Sequence, residues 1–146
     1  MKRISLVLLA AIAVAMPAFA RDTVLHLDVN AVTDPGFSQG KLDGSVKFYF
    51  AGQKTPAVLS NLGAATTNRK TSGAGKSDND ACRWVMLTAL VALQDDAKAH
   101  GANAVIGITS NYKNVTWASP TQYECHAGNI MAGVALKGTY AKIGKH

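Results

Sequence analysis

Residues 77–112 read SDNDACRWVMLTALVALQDDAKAHGANAVIGITSNY, a helical pattern that passes through one glycine into a strand pattern. Cys82, Val85, Ala89, Leu93 and Ala97 recur every three or four residues, with Trp84, Leu87 and Val91 widening the apolar face. Ser77 and Asp80 are spaced like a capping box, and acids at that end suit the helix dipole. Gly101, after His100, is a natural stop. The pattern predicts a helix over about 78–100, followed by a strand over Asn103 to Tyr112 that is near-continuously apolar through Ala104 to Ile108.

Downstream, Asn114 to Gln122 is a polar excursion containing Trp117 and Pro120. Ile130, Ala132, Val134, Leu136 and Tyr140 then share one face of a long last strand, with Met131, Gly133, Ala135, Lys137 and Thr139 on the other. An antiparallel hairpin from Asn103 to Ile143 follows. Upstream, Gly63 to Ser77 has Arg69, Lys70 and Lys76 but no large apolar side chain, which predicts a mobile basic loop. Thr55 to Leu62 is ambiguous, with Pro56 placed to start either a helix or a turn. Val46, Phe48 and Phe50 alternate with Lys47 and Tyr49 as in a half-buried strand. Thr23 to Val32 reads as a first strand ended by the turn residues Asp34-Pro35-Gly36. The expectation is an α+β domain: a roughly four-stranded, mostly antiparallel sheet with one main helix packed on it.

The amino end predicts where the domain works. Lys2 and Arg3 precede an uncharged run from Ile4 to Met16, Pro17 breaks it, and Ala18-Phe19-Ala20 precedes charged Arg21. This is the order of a secretory signal, with cleavage between Ala20 and Arg21. A membrane anchor is the alternative, but the run is shorter than the roughly 20 residues that span a bilayer. No cysteine follows the run to carry a lipid. The expected product is residues 21–146, one soluble periplasmic or secreted bacterial domain without a membrane anchor. Of the chain's 15 basic residues two leave with the signal, so 13 face 9 acidic ones and the formal charge is +4. That mild excess favours anionic surfaces and is not the basic stripe of a nucleic-acid binder.

Cys82 and Cys125 are the only cysteines, and in an exported chain their default state is a disulfide. Two buried free thiols are the alternative. A redox-active pair would more often be Cys-x-x-Cys, which is absent.

Other motifs are incomplete. Gly73-Ala74-Gly75-Lys76-Ser77 resembles the end of a phosphate loop, but Lys70 stands where the first glycine is required, and no apolar strand is expected to lead in. An ATPase is therefore not expected. His26, His100 and His126 are weak metal-ligand candidates without the clustered spacing of a zinc site. Glu124, Cys125 and His126 are neighbours whose side chains would alternate across a strand, so they do not face one another as a catalytic set. No enzyme activity and no cofactor are expected.

The blocks Ala81-Cys82-Arg83-Trp84, Gly101 to Ile108, Tyr123 to Gly128 and Gly133 to Gly138 resemble a group of small proteobacterial secreted proteins that carry the label "excinuclease ATPase subunit". More distantly, the helix–Gly-Ala-Asn-Ala-Val–strand unit resembles the YbjQ-like family, whose label implies metal binding, and the Rcs stress-sensor lipoprotein domain, which implies signalling by protein contact. The Rcs resemblance implies two disulfides. Cys82 and Cys125 match one, and no residue supplies the second or the lipidated cysteine. In the shared unit Gly101 would take a left-handed turn and Asn103 would hydrogen-bond the helix-end carbonyls. The expected function is a non-enzymatic binding or interaction module in envelope maintenance or stress response, with a metal or small-ligand protein as the alternative. Its partner would be an envelope protein or an anionic envelope surface, and an oligomer is open. Candidate contact surfaces are the basic loop (Arg69, Lys70, Lys76) and the aromatic excursion (Tyr112, Trp117, Tyr123).

Overall fold

The computed structural model describes Ile12 and residues 21–144. The remaining positions of the expected export signal, Ala20 of the expected cleavage bond among them, lie outside the described residues. The elements run β1 (Thr23–Asp28), α1 (Asn30–Ser38), β2 (Lys47–Phe50), β3 (Val58–Ser72), α2 (Asp78–Ala99), β4 (Ala104–Ser110), a 3-10 turn (Tyr112–Asn114), β5 (Gln122–Ala127) and β6 (Met131–Ile143). The α+β class holds, but the sheet has six strands and is mixed, because β2 runs parallel to β4.

The whole sheet is organised on β6. Along one edge it pairs antiparallel with β3 over nearly its full length. Its other edge is shared: β5 pairs at Ala132 and Gly133, and β4 pairs from Leu136 to Ala141. β1 adds to β5 and β2 to β4, so the sheet forks at the middle of β6. The β4–β6 pairing is the antiparallel partnership expected from Asn103 to Ile143. Gly138 sits where a Cβ would approach the Ile106 carbonyl oxygen to 2.8 Å, so only glycine lets these strands come this close.

α2 covers one face of this sheet. Ser77 is its N-cap, its Oγ accepting from the Asp80 N–H, as the capping pattern predicts. Cys82, Val85, Met86, Ala89, Leu90, Leu93 and Ala97 are buried against the sheet. Trp84, expected to widen that apolar face, instead stays half exposed beneath the Lys41 and Lys76 ammonium groups. At the other end Gly101 has φ +70° and the Ala102 N–H donates to the Ala97 carbonyl, closing a Schellman stop. That leaves Asn103 free for a different task from the one expected. Its Oδ1 accepts from the Ile143 N–H and its Nδ2 donates to the Ile143 carbonyl, which prolongs the sheet past Ala104.

Three expectations are corrected by the chain's own packing. Residues 63–72 are not a mobile loop but most of β3. The strand needs no large apolar residue: its inward Ala65 is fully buried, its outward face meets water, and β-branched Thr66, Thr67 and Thr71 suit the pleat. Only Gly73 to Ser77 turns. The first strand ends at Asp28, and Asp34-Pro35-Gly36 lies within α1 rather than in a turn. Gly36 is there because α1 crosses closely: a Cβ would come within 2.9 Å of both Leu42 and Leu87. The long last strand, β6, begins only at Met131, with a separate strand, β5, before it. Gly128 to Ile130 turns between them, which removes Ile130 from the buried face expected for it.

Candidate functional site

The expected disulfide is present. Cys82 on α2 and Cys125 on β5 are joined, and both are fully buried. Because side chains alternate along β5, Tyr123, Cys125 and Ala127 point into the core, while Glu124 and His126 share the outer face. The neighbours Glu124, Cys125 and His126 alternate across the strand as expected, and that alternation brings Glu124 and His126 to the same side.

On that outer face the strand register assembles four ionisable groups into one chain. His26 of β1 lies opposite Glu124 of β5, and its Nε2 is 3.1 Å from Glu124 Oε2. The other carboxylate oxygen, Oε1, is 2.8 Å from His126 Nε2. His126 Nδ1 is 2.9 Å from Asp22 Oδ1. Carboxylates only accept, so satisfying both contacts of His126 takes a ring that donates from both nitrogens; a neutral ring gives up one of them. Glu124 and His126 side chains are each only 12% exposed, whereas His26 and Asp22 reach further into water.

Aromatic rings lie on both imidazoles. Trp117 stacks on His26 with centroids 3.9 Å apart and planes 3° from parallel. Tyr112 stacks on His126 at 3.6 Å and 12°. The polar excursion is what delivers them. Ser110 and Trp117 exchange backbone hydrogen bonds, and the 3-10 turn between carries Tyr112. Tyr112 is seated over Gly133, the register partner of His126, where a Cβ would approach the Tyr112 ring to 3.4 Å. Lys113 and Asn114 hold left-handed backbone at φ +50° and +62°, unusual for residues with side chains. Lys113 Nζ thereby lies 5.7 Å from the centre of the Tyr112 ring. Together these groups form a half-exposed shelf of two imidazole–aromatic pairs joined by one carboxylate.

The residues singled out from the sequence separate sharply on this map. Tyr112, Trp117, His26 and His126 meet on the shelf. Tyr123 does not: it is 1% exposed and faces the core, and burial holds its phenol pKa far above the ordinary value. His100 is remote, stacked on Tyr140 at the end of α2. The three basic residues form no single surface either. Arg69 and Lys70 are adjacent on β3 and point to opposite faces, and Lys76 lies over Trp84. Asp22 and Glu124 were missed as site residues, although the Glu-x-His spacing that aligns Glu124 with His126 was visible.

No group of three or more His, Cys, Asp or Glu side chains among the described residues surrounds a point where a metal ion could sit. The His26, Glu124 and His126 contacts are with one another. A strand, β3, does lead into Gly73-Ala74-Gly75-Lys76-Ser77, but its last residues, Thr66 to Ser72, are polar instead of apolar. The turn still offers a phosphate little: the Ser77 hydroxyl caps α2, and Asp78 and Asp80 place negative charge in the first helical turn. No described helix is long and apolar enough to cross a membrane. No protein-family model matches the chain, and no curated protein matches it.

Proposed function

We propose that the protein is a non-enzymatic binding module of the bacterial envelope, acting in its maintenance or stress response, and that it engages its partner through the shelf of His26, Trp117, Tyr112 and His126. The observation that carries this reading is the pair of imidazole–aromatic stacks tied to Glu124 on the outer face. Rigid, half-exposed aromatic groups are the side chains that protein interfaces favour, since little conformational freedom is left to lose on contact. The same hydrogen bonds argue against general base catalysis. This holds for His126, both of whose nitrogens are engaged with carboxylates instead of a nucleophile.

A photo-crosslinking side chain at position 117, in the exported protein of its own host, tests this. Envelope adducts are expected from position 117, weakened by Gly133→Val, which pushes Tyr112 off its seat, and absent from position 95 on the exposed side of α2. The same adducts from both positions, or none from 117, would overturn it. A second reading, a metal or small-ligand protein, requires His26, Glu124 and His126 to give up their contacts with one another. Zinc and copper titrations of the oxidised protein decide it: a thermal shift lost in Glu124→Gln supports a metal, and no shift dismisses it.

A further inference from the structure

The turn between β5 and β6 carries the most exposed large apolar side chain of residues 21–144. Ile130 is 71% exposed, and Met131 beside it is 45% exposed. Both line an open cleft of about 650 Å³ together with Lys70, Lys113, Arg21 and the Tyr112 ring. Two acids are close by, and each is committed: Asp22 to His126, and Asp78 to Arg21. Lys70 and Lys113 have no ion-pair partner among the described residues, and Lys113 is exposed, its ammonium group 5.7 Å from the centre of the Tyr112 ring. The backbone fixes the turn itself, since the Gly73 N–H donates to the Ile130 carbonyl and the Gly128 N–H to that of Met131. Two apolar side chains are thus presented on a stiff turn and rimmed by uncompensated cations.

Lysine is depleted where proteins meet proteins, so this pairing suits a protein surface poorly. It suits a surface with negative charge outside and hydrocarbon just beneath. We propose that the β5–β6 turn docks on an anionic phospholipid bilayer, with Ile130 and Met131 entering the boundary of headgroups and acyl chains while Lys70 and Lys113 stay with the phosphates. Long lysine stems allow that division. Such contact is peripheral and reversible, because two side chains bury far less than an amphipathic helix does. The cleft borders the shelf, sharing Tyr112 and His126 with it, but neither Ile130 nor Met131 joins the stacked pairs.

Sedimentation of the exported protein with vesicles tests the proposal. Binding is expected to vesicles containing phosphatidylglycerol and not to pure phosphatidylcholine, and it should fall as salt screens the charges. A lysine near such a surface contributes about five-fold in partitioning, so Lys70→Gln with Lys113→Gln should weaken binding roughly 25-fold. Ile130→Ser with Met131→Ser should weaken it roughly ten-fold or more without changing the circular dichroism spectrum, as both side chains are exposed. Lys142→Gln, at the far end of β6, and Trp117→Ala should leave it nearly unchanged. Equal binding to both vesicle types, or an equal loss with Lys142→Gln, would overturn the proposal. So would displacement by soluble glycerol phosphate, which would make the cleft a small-anion pocket.

Discussion

The two faces of β5 are held by opposite means. Inward, Tyr123, Cys125 and Ala127 are buried, and a covalent bond ties the strand to α2. Outward, Glu124 and His126 are held by charge-assisted hydrogen bonds and ring stacking, in a chain whose ends at His26 and Asp22 open to water. Ionic contacts at exposed ends are worth only about 0–1 kcal/mol each. The inner face therefore accounts for stability and the outer face for order. A sheet could close its outer face with unpaired polar side chains such as Thr66, Asn68 and Lys70 of β3. Two imidazoles, two carboxylates and two aromatic rings in register are more than stability asks for. The outer arrangement also depends on the inner one, because the bridge at Cys125 fixes the strand that carries both Glu124 and His126.

The largest expected effect comes from breaking the inner restraint. Cys82 and Cys125 are separated by 43 residues, and releasing a loop of that length lowers stability by about 4 kcal/mol on chain entropy. Urea unfolding of the double Cys82→Ser, Cys125→Ser protein should show that loss. Trp117 fluorescence in the absence of urea should change as well, because the shelf is mounted on the tethered strand. A loss below about 1 kcal/mol with unchanged fluorescence would mean that the outer face holds itself.

A smaller effect is expected from the outer face. Glu124→Gln keeps the side chain's shape but removes the charge that both imidazoles share, and hydrogen bonds to a charged group are worth about 1.5–3 kcal/mol. Partial exposure argues for the lower end, so a loss of about 1–2 kcal/mol in urea unfolding is expected. The sharper readout is magnetic resonance. The ring signals of His26 and His126 should both move while those of His100 stay, and a response from one ring alone would break the chain into separate pairs.

What could be read in the sequence was whatever repeats locally or follows from compartment. α2 showed through the spacing of Cys82, Val85, Ala89 and Leu93, its stop through Gly101, and the disulfide through the expectation of export. The β4–β6 pairing showed through two apolar runs. β3 was hidden because its burial falls on Ala65 and on backbone pairing with β6, neither of which leaves a hydrophobic signature. α1 was hidden because Gly36 serves close helix packing in a context that resembles turn chemistry. The shelf was half legible: Tyr112, Trp117 and the histidines stood out, but His26 meets Glu124 through a register that no local pattern encodes. Tyr123 was misplaced for want of one inference, that Cys125 turned inward takes Tyr123 with it.

The smallest effect concerns a second tie to α2, on the surface instead of in the core. Arg21 donates to both oxygens of Asp78 at 2.7 and 3.0 Å, and it also bonds the Asn129 side chain and the Gly128 carbonyl. It thus joins the start of the described chain, the first turn of α2 and the β5–β6 turn, close to where the disulfide joins α2 and β5 inside. The hydrogen bond from Arg21 holds the Asp78 carboxyl pKa below its ordinary 3.8. A carboxylate whose pKa is lowered by folding adds stability that is fully present above the ordinary value and is lost as pH falls through the lowered one. The native protein should therefore exceed Asp78→Asn in urea midpoint by a constant margin at neutral and mildly acid pH. That margin should close only under strongly acid conditions. Because both partners are exposed, it should be smaller than the loss in Glu124→Gln and should shrink with salt. A margin that widens on acidification would reverse the sign of the tie, and one larger than the disulfide's would place the main restraint on β5 outside the core.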